Sequence, residues 1–131
     1  MSADANDGQA ELVAKAFGAF GGVPFAFVAY FLFEDFLLAG VLLLAEGIAS
    51  YHILAYVMSR GEEAANVPSL GGVHAGALGF GLSVGTVAMF VGRFAEINSP
   101  VAIAGGLLVA TVAYVVLAQA LPPAGRERPA L

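Results

Sequence analysis

The sequence predicts an all-α, polytopic membrane protein whose four transmembrane helices form two antiparallel hairpins. Three observations carry this. Of the 131 residues, 60% are hydrophobic and only 11% are charged, with a mean hydropathy of +0.87, whereas soluble domains carry about one quarter charged residues. Four apolar stretches reach the roughly 20 residues an α-helix needs to cross about 30 Å of hydrocarbon. None alternates at period two, and an unclosed sheet would leave backbone groups unpaired in lipid. With five basic residues, a net charge of -5 and no cysteine, the chain is excluded as a nucleic-acid binder and as a secreted disulfide mini-protein.

Residues 1–11, reading MSADANDGQAE, are too polar and acidic for a signal peptide and are expected to form a short soluble tail. The four spans cover Leu12 to Phe33, Phe36 to Met58, Leu70 to Val91 and Pro100 to Leu121, so residues 12–121 form the transmembrane domain and 122–131 a polar C-terminal tail. Gly18, Gly21, Gly22 and Pro24 interrupt the first span. A bent or re-entrant first segment, leaving three full spans, is therefore the alternative. Glu34 and Asp35, adjacent acids that are best placed in water, mark a tight hairpin, and Arg60 to Pro68 reads as a solvated loop. Ser69 is the expected N-cap of the third helix, after Pro68. Ser99 is the expected N-cap of the fourth, with Pro100 at its first position, and Pro122 and Pro123 end that helix.

Lysine and arginine in the flanks orient the chain in the cell membrane. Lys15, Arg60, Arg126 and Arg128 fall on the side of both termini and only Arg93 on the other, which places both termini in the cytoplasm. A single lysine, many alanines and valines, and acidic loops suit a prokaryotic, high-salt origin.

The third span is the expected centre of the packing. At 100° per residue, Gly72, Gly76, Gly79, Ser83 and Thr86 form one stripe, and Ala77, Gly81, Gly85, Ala88 and Gly92 a second beside it. Small residues over so wide an arc allow two neighbouring backbones to approach closely. Gly105, Gly106, Ala110 and Ala113 give the fourth span a smaller face of the same kind.

Three residues are out of place in lipid. Glu46 lies ten residues inside the second span. An acid there costs about 2.5–3.5 kcal/mol of insertion free energy, which the surrounding Leu, Ile, Val and Phe residues offset. An intramembrane carboxyl is either a proton- or cation-handling group, with Ser50 on its face, or a clamp between helices through Ser83, Thr86 or Tyr114. His52 and His74, on adjacent spans, are candidates to hold haem or a metal between them, at depths that differ by several ångströms. Arg93 and Glu96 are spaced as an interfacial i,i+3 pair. No nucleotide-binding, hydrolase or zinc-protease signature is present, and no internal repeat is supported.

Ala45-Glu46 followed by Ile53-Leu54-Ala55-Tyr56-Val57 resembles the glutamate-bearing helix of the J-type membrane subunit of respiratory complex I and is similar to the carboxyl-bearing helix of rotary ATPase ring subunits. The likeness covers under one fifth of the chain. Arg60 and the acidic loop after it depart from the first pattern, and the regular glycine repeat of the second is missing from the first span, so no function is carried over. The sequence therefore leads to a non-enzymatic accessory or structural subunit whose partners are the lipid bilayer and other membrane subunits or copies of itself. A small proton- or cation-coupled transporter or channel using Glu46 is the alternative, and a haem- or metal-binding electron-transfer subunit the second alternative.

Overall fold

The computed structural model describes residues 2–59 and 72–122. Five helices follow one another: α1 Ser2–Phe20, α2 Val23–Phe33, α3 Phe36–Ser59, α4 Ala75–Phe94 and α5 Ser99–Ala120. They provide four segments long and apolar enough to cross a membrane, Glu11–Phe33, Phe36–Met58, Ala75–Phe94 and Ser99–Ala120. The all-α polytopic fold follows.

The first span is the bent one, made of α1 and α2. Pro24 has no N–H to offer the Phe20 carbonyl four residues earlier, so α1 stops at Phe20 and α2 restarts with proline in its first turn. Gly21 and Gly22 form the turn between them and press against α3. A Cβ on Gly21 would meet the Ser50 hydroxyl, and one on Gly22 the Leu43 carbonyl. The acidic N-terminal stretch expected as a tail is instead the opening of α1, which begins at Ser2.

The order in space is the order in sequence. α1 and α2 lie along α3, α3 along α4, and α4 along α5, while α3 and α5 barely meet. The result is a row of helices, open except at one end, where Phe33 of α2 reaches past α3 to the Phe90 and Phe94 rings of α4. The inner spans are accordingly the more enclosed: in an apolar 18-residue stretch of each span, 39% is buried in α3 and 50% in α4, against 11% in the first span and 17% in α5.

α4 holds the row together through its small residues. On one side a Cβ on Gly79 would come within 2.6 Å of Ile53, and one on Gly76 within 2.7 Å of the Tyr56 ring, both on α3. On the other side a Cβ on Gly85 would lie 2.6 Å from the Gly106 carbonyl oxygen and one on Gly81 3.1 Å from that of Ala110, both on α5. Ala29, Leu38, Leu42 and Met89 form a buried cluster across α2, α3 and α4, and Met89 fills the space above Gly106.

Several expected boundaries move. The third helix starts at Ala75, where His74 is the cap, and the expected cap Ser69 lies outside the described residues, as do the Arg60 to Pro68 loop and the C-terminal tail beyond Pro122. Gly72 is therefore not part of the packing stripe. It sits in a turn before the helix at φ +85° with open space around it, a conformation glycine adopts without a Cβ penalty. The fourth helix is capped by Asn98, whose side-chain oxygen accepts the Val101 N–H at 3.0 Å, so Ser99 and Pro100 are its first two residues. Arg93 and Glu96 do not pair along one helix. Glu96 lies past the end of α4 at φ +63°, where the Ile97 N–H reaches the Gly92 carbonyl and the Glu96 N–H the Arg93 carbonyl. This is the double-bonded helix ending usually built on glycine.

Replacing Gly85 by leucine drives a side chain into the α5 backbone and is expected to cost about 2–4 kcal/mol of stability in detergent. Gly105→Leu, on a position with nothing within 4 Å, is expected to stay within about 0.5 kcal/mol of the parent. Thermal unfolding followed by helical circular dichroism compares the two.

Candidate functional site

Glu46 projects from the middle of α3, about 15 Å along the axis from Phe36, and is 4% exposed. Ser83 on α4 donates its hydroxyl to Oε2 at 3.4 Å, a distance at the weak end of hydrogen bonding. Oε1 is sealed from its surroundings and has no hydrogen-bond partner among the described residues. The other two groups with which it could have formed a clamp are used elsewhere: Thr86 donates to the Leu82 carbonyl at 3.1 Å, and the Tyr114 hydroxyl accepts the His74 backbone N–H at 3.2 Å. Ser50 lies one turn on from Glu46 but against Gly21 at the break in the first span, so the two polar groups face different neighbours. The carboxyl is thus half satisfied, in a place where an unpaired buried oxygen costs about 1–3 kcal/mol.

His52 and His74 are separately engaged. The Nδ1–H of His52 donates to the Ile48 carbonyl one turn back, at 2.8 Å. A carbonyl can only accept, so the proton is on Nδ1 and Nε2 carries the lone pair. His74 has the opposite tautomer. Its Nδ1 accepts the Ala77 N–H at 3.1 Å, capping α4, and its Nε2–H donates to the Pro122 carbonyl at 3.0 Å. The same carbonyl accepts the Tyr56 hydroxyl at 2.6 Å, and the Tyr56 ring lies 5.3 Å from that of His74. With both nitrogens of His74 taken inside the chain, that residue fastens the ends of α3, α4 and α5 and leaves no free position for a ligand shared with His52. Among the described residues no group of three or more His, Asp or Glu side chains could hold a metal ion.

At the opposite rim of the row Asp35 joins three helices. It caps α3, its Oδ1 accepting the Leu38 N–H at 2.9 Å. Its Oδ2 accepts the Ser99 hydroxyl from the start of α5 and lies 3.4 Å from Nε of Arg93 at the end of α4. Arg93 also donates to the Ile97 carbonyl at 2.8 Å and covers the Phe33 ring at 5.1 Å. Sequence reasoning read Asp35 only as a solvated loop acid. The available signal was an aspartate immediately before an apolar run, which is a preferred cap residue. Its burial pushes the Asp35 carboxyl up, but the Leu38 N–H, the Ser99 hydroxyl and the Arg93 charge together outweigh this and hold it below the usual value of 3.8.

No protein-family model, curated protein or solved structure matches the chain. The site's chemistry therefore rests on its own geometry: a half-satisfied carboxyl at mid-depth, a histidine with an open nitrogen, and polar fasteners at both rims.

Because the carboxylate form of Asp35 is favoured by folding, its contribution is fully present above pH 3.8 and is lost as pH falls through the lower folded-state value. Asp35→Ala is expected to cost about 2 kcal/mol at neutral pH and to flatten the acid limb of stability against pH. Unfolding of both proteins in detergent over the acid range measures this.

Proposed function

We propose that the protein serves as a membrane-embedded subunit of a larger assembly, formed with other membrane proteins or with copies of itself, in a cell membrane with both termini cytoplasmic. The open row carries this reading. Four helices in a line expose far more side than four in a closed square, and the outer spans keep large apolar residues on the surface, Phe17, Phe20, Phe27 and Phe31 on the first and Leu108, Val112 and Val116 on α5. Short connections leave no described domain outside the membrane that could act alone. Contiguous apolar faces of this extent suit neighbouring helices, since close packing stabilises association in lipid. Purification in mild detergent, followed by mass determination, is expected to give a species several times the 13.3 kDa chain. A stable monomer would overturn the reading, and a reporter fused to either end checks the orientation.

Glu46 favours a second reading, in which the assembly handles protons or cations. Its buried Oε1, without a partner among the described residues, is what a purely structural clamp would not need, because a well-packed apolar residue would hold α3 to α4 without an orphaned polar atom. In liposomes, proton or cation flux is expected to fall at least about tenfold in Glu46→Gln, while the helix content stays the same. Flux equal to the parent's would remove this reading.

A further inference from the structure

We propose that the cargo of Glu46 is a proton and not a metal cation, the acid being sealed between α3 and α4 in its neutral form. The inference rests on the second reading above, in which the assembly handles protons or cations, and narrows it to one ion.

A carboxylate enclosed in an apolar interior is costly unless a positive charge lies beside it. Glu46 is 4% exposed, and among the described residues no such charge is at hand. Lys15 is paired with Glu11 at 2.8 Å near the start of the first span, and Arg93 is held by Asp35 and the Ile97 carbonyl at the far rim. The titratable groups on the surrounding helices are turned elsewhere. His52, six residues along α3, points about 240° away around the helix and donates to Ile48. Tyr51 packs beside Gly18 of α1, Tyr30 of α2 lies on the Phe36 ring, and the Tyr114 hydroxyl of α5 accepts the His74 N–H. α4 brings Ser83 and Thr86 and the break in the first span brings Gly21 against Ser50, all uncharged. The compensating charge therefore arrives with the cargo.

A metal ion would find too few oxygens. The two carboxylate oxygens and the Ser83 hydroxyl, 3.4 Å away, make three at most, whereas calcium and magnesium take about six or more and alkali ions are held by rings of backbone carbonyls. Cation sites in membrane carriers draw such carbonyls from unwound helices. Here α3 and α4 run unbroken through Glu46 and Ser83, so the carbonyls at this height stay in their helix ladders. The turn at Gly21 and Gly22 closes on Ser50 and Leu43. Oε1 is sealed, so an ion could not keep its own waters there either.

A proton asks for a single oxygen. Loading forms one O–H bond on the carboxylate and cancels its charge; unloading breaks that bond and returns the proton to water. With the proton on Oε2, that oxygen and the Ser83 hydroxyl remain hydrogen-bonded, since each is then both donor and acceptor. Oε1 is left as a neutral carbonyl oxygen, which costs less to bury unpaired than a charged one.

Two measurements on the full chain test this. In liposomes, an imposed pH gradient should collapse at least about tenfold faster with the parent than with Glu46→Gln, while gradients of Na⁺, K⁺, Mg²⁺ and Ca²⁺ decay at the same rate with both. In detergent at neutral pH, the infrared difference between the parent and Glu46→Gln of equal helix content should contain the C=O stretch of a neutral carboxylic acid, shifted in heavy water and unchanged when those cations are added. Glu46-dependent flux of any of the four metal ions, or absence of the acid band in the folded parent, overturns the inference and leaves the broader reading standing. Gradients that decay alike in parent and Glu46→Gln for the proton and all four metal ions remove both.

Discussion

In a bilayer, hiding one apolar side chain against another gains little, because acyl chains are as apolar as leucine, so helices associate only where their backbones can come close enough for dense contact. The whole row depends on α4 meeting that condition on two sides at once. Gly76, Gly79 and Ser83 lie toward α3, while Gly81, Gly85 and Gly92 lie toward α5. Bulky residues on the first arc would leave the two hairpins as separate units, and on the second they would open the α4–α5 hairpin itself. The first span uses the same device more sparingly, through Gly18, Gly21 and Gly22 against Gly47, Ser50 and Leu43, and the break before Pro24 is what turns those glycines inward.

Most of the architecture was legible in the sequence because span length and apolar content are set by the thickness of the hydrocarbon, a constraint that leaves few alternatives. Three of the four spans were placed to within a few residues. The kink, carried by Pro24 and its glycines, was visible as an interruption but not as two helices with a turn. The third helix starts later than the pattern suggested, at Ala75, because Gly72 turns the chain at positive φ before it, and its cap is His74, a residue type outside the usual capping set. One residue's displacement of the fourth cap, from Ser99 to Asn98, has a similar origin. Both are good capping types, and only the tertiary demand for the Ser99 hydroxyl at Asp35 separates them.

The site was legible in a different way. Glu46 stands out because lipid makes any acid conspicuous, and the sequence could name three possible partners without choosing among them. Geometry chooses Ser83, through a long bond to one oxygen, and shows Thr86 and Tyr114 occupied elsewhere. The different duties of the two histidines were not readable at all, since tautomers depend on carbonyls brought in by the fold: Ile48 one turn away for His52, and Pro122 from the far end of the chain for His74.

Asp35 gathers α3, α4 and α5 at one rim, and the Pro122 carbonyl gathers the same three helices at the other. Rods tied at both ends can bow or rotate between the ties but cannot slide lengthwise past each other. Axial register between α3 and α4 is therefore locked, and Glu46 and Ser83 stay at one height, so that any motion exposing the acid has to be a sideways parting of the rods.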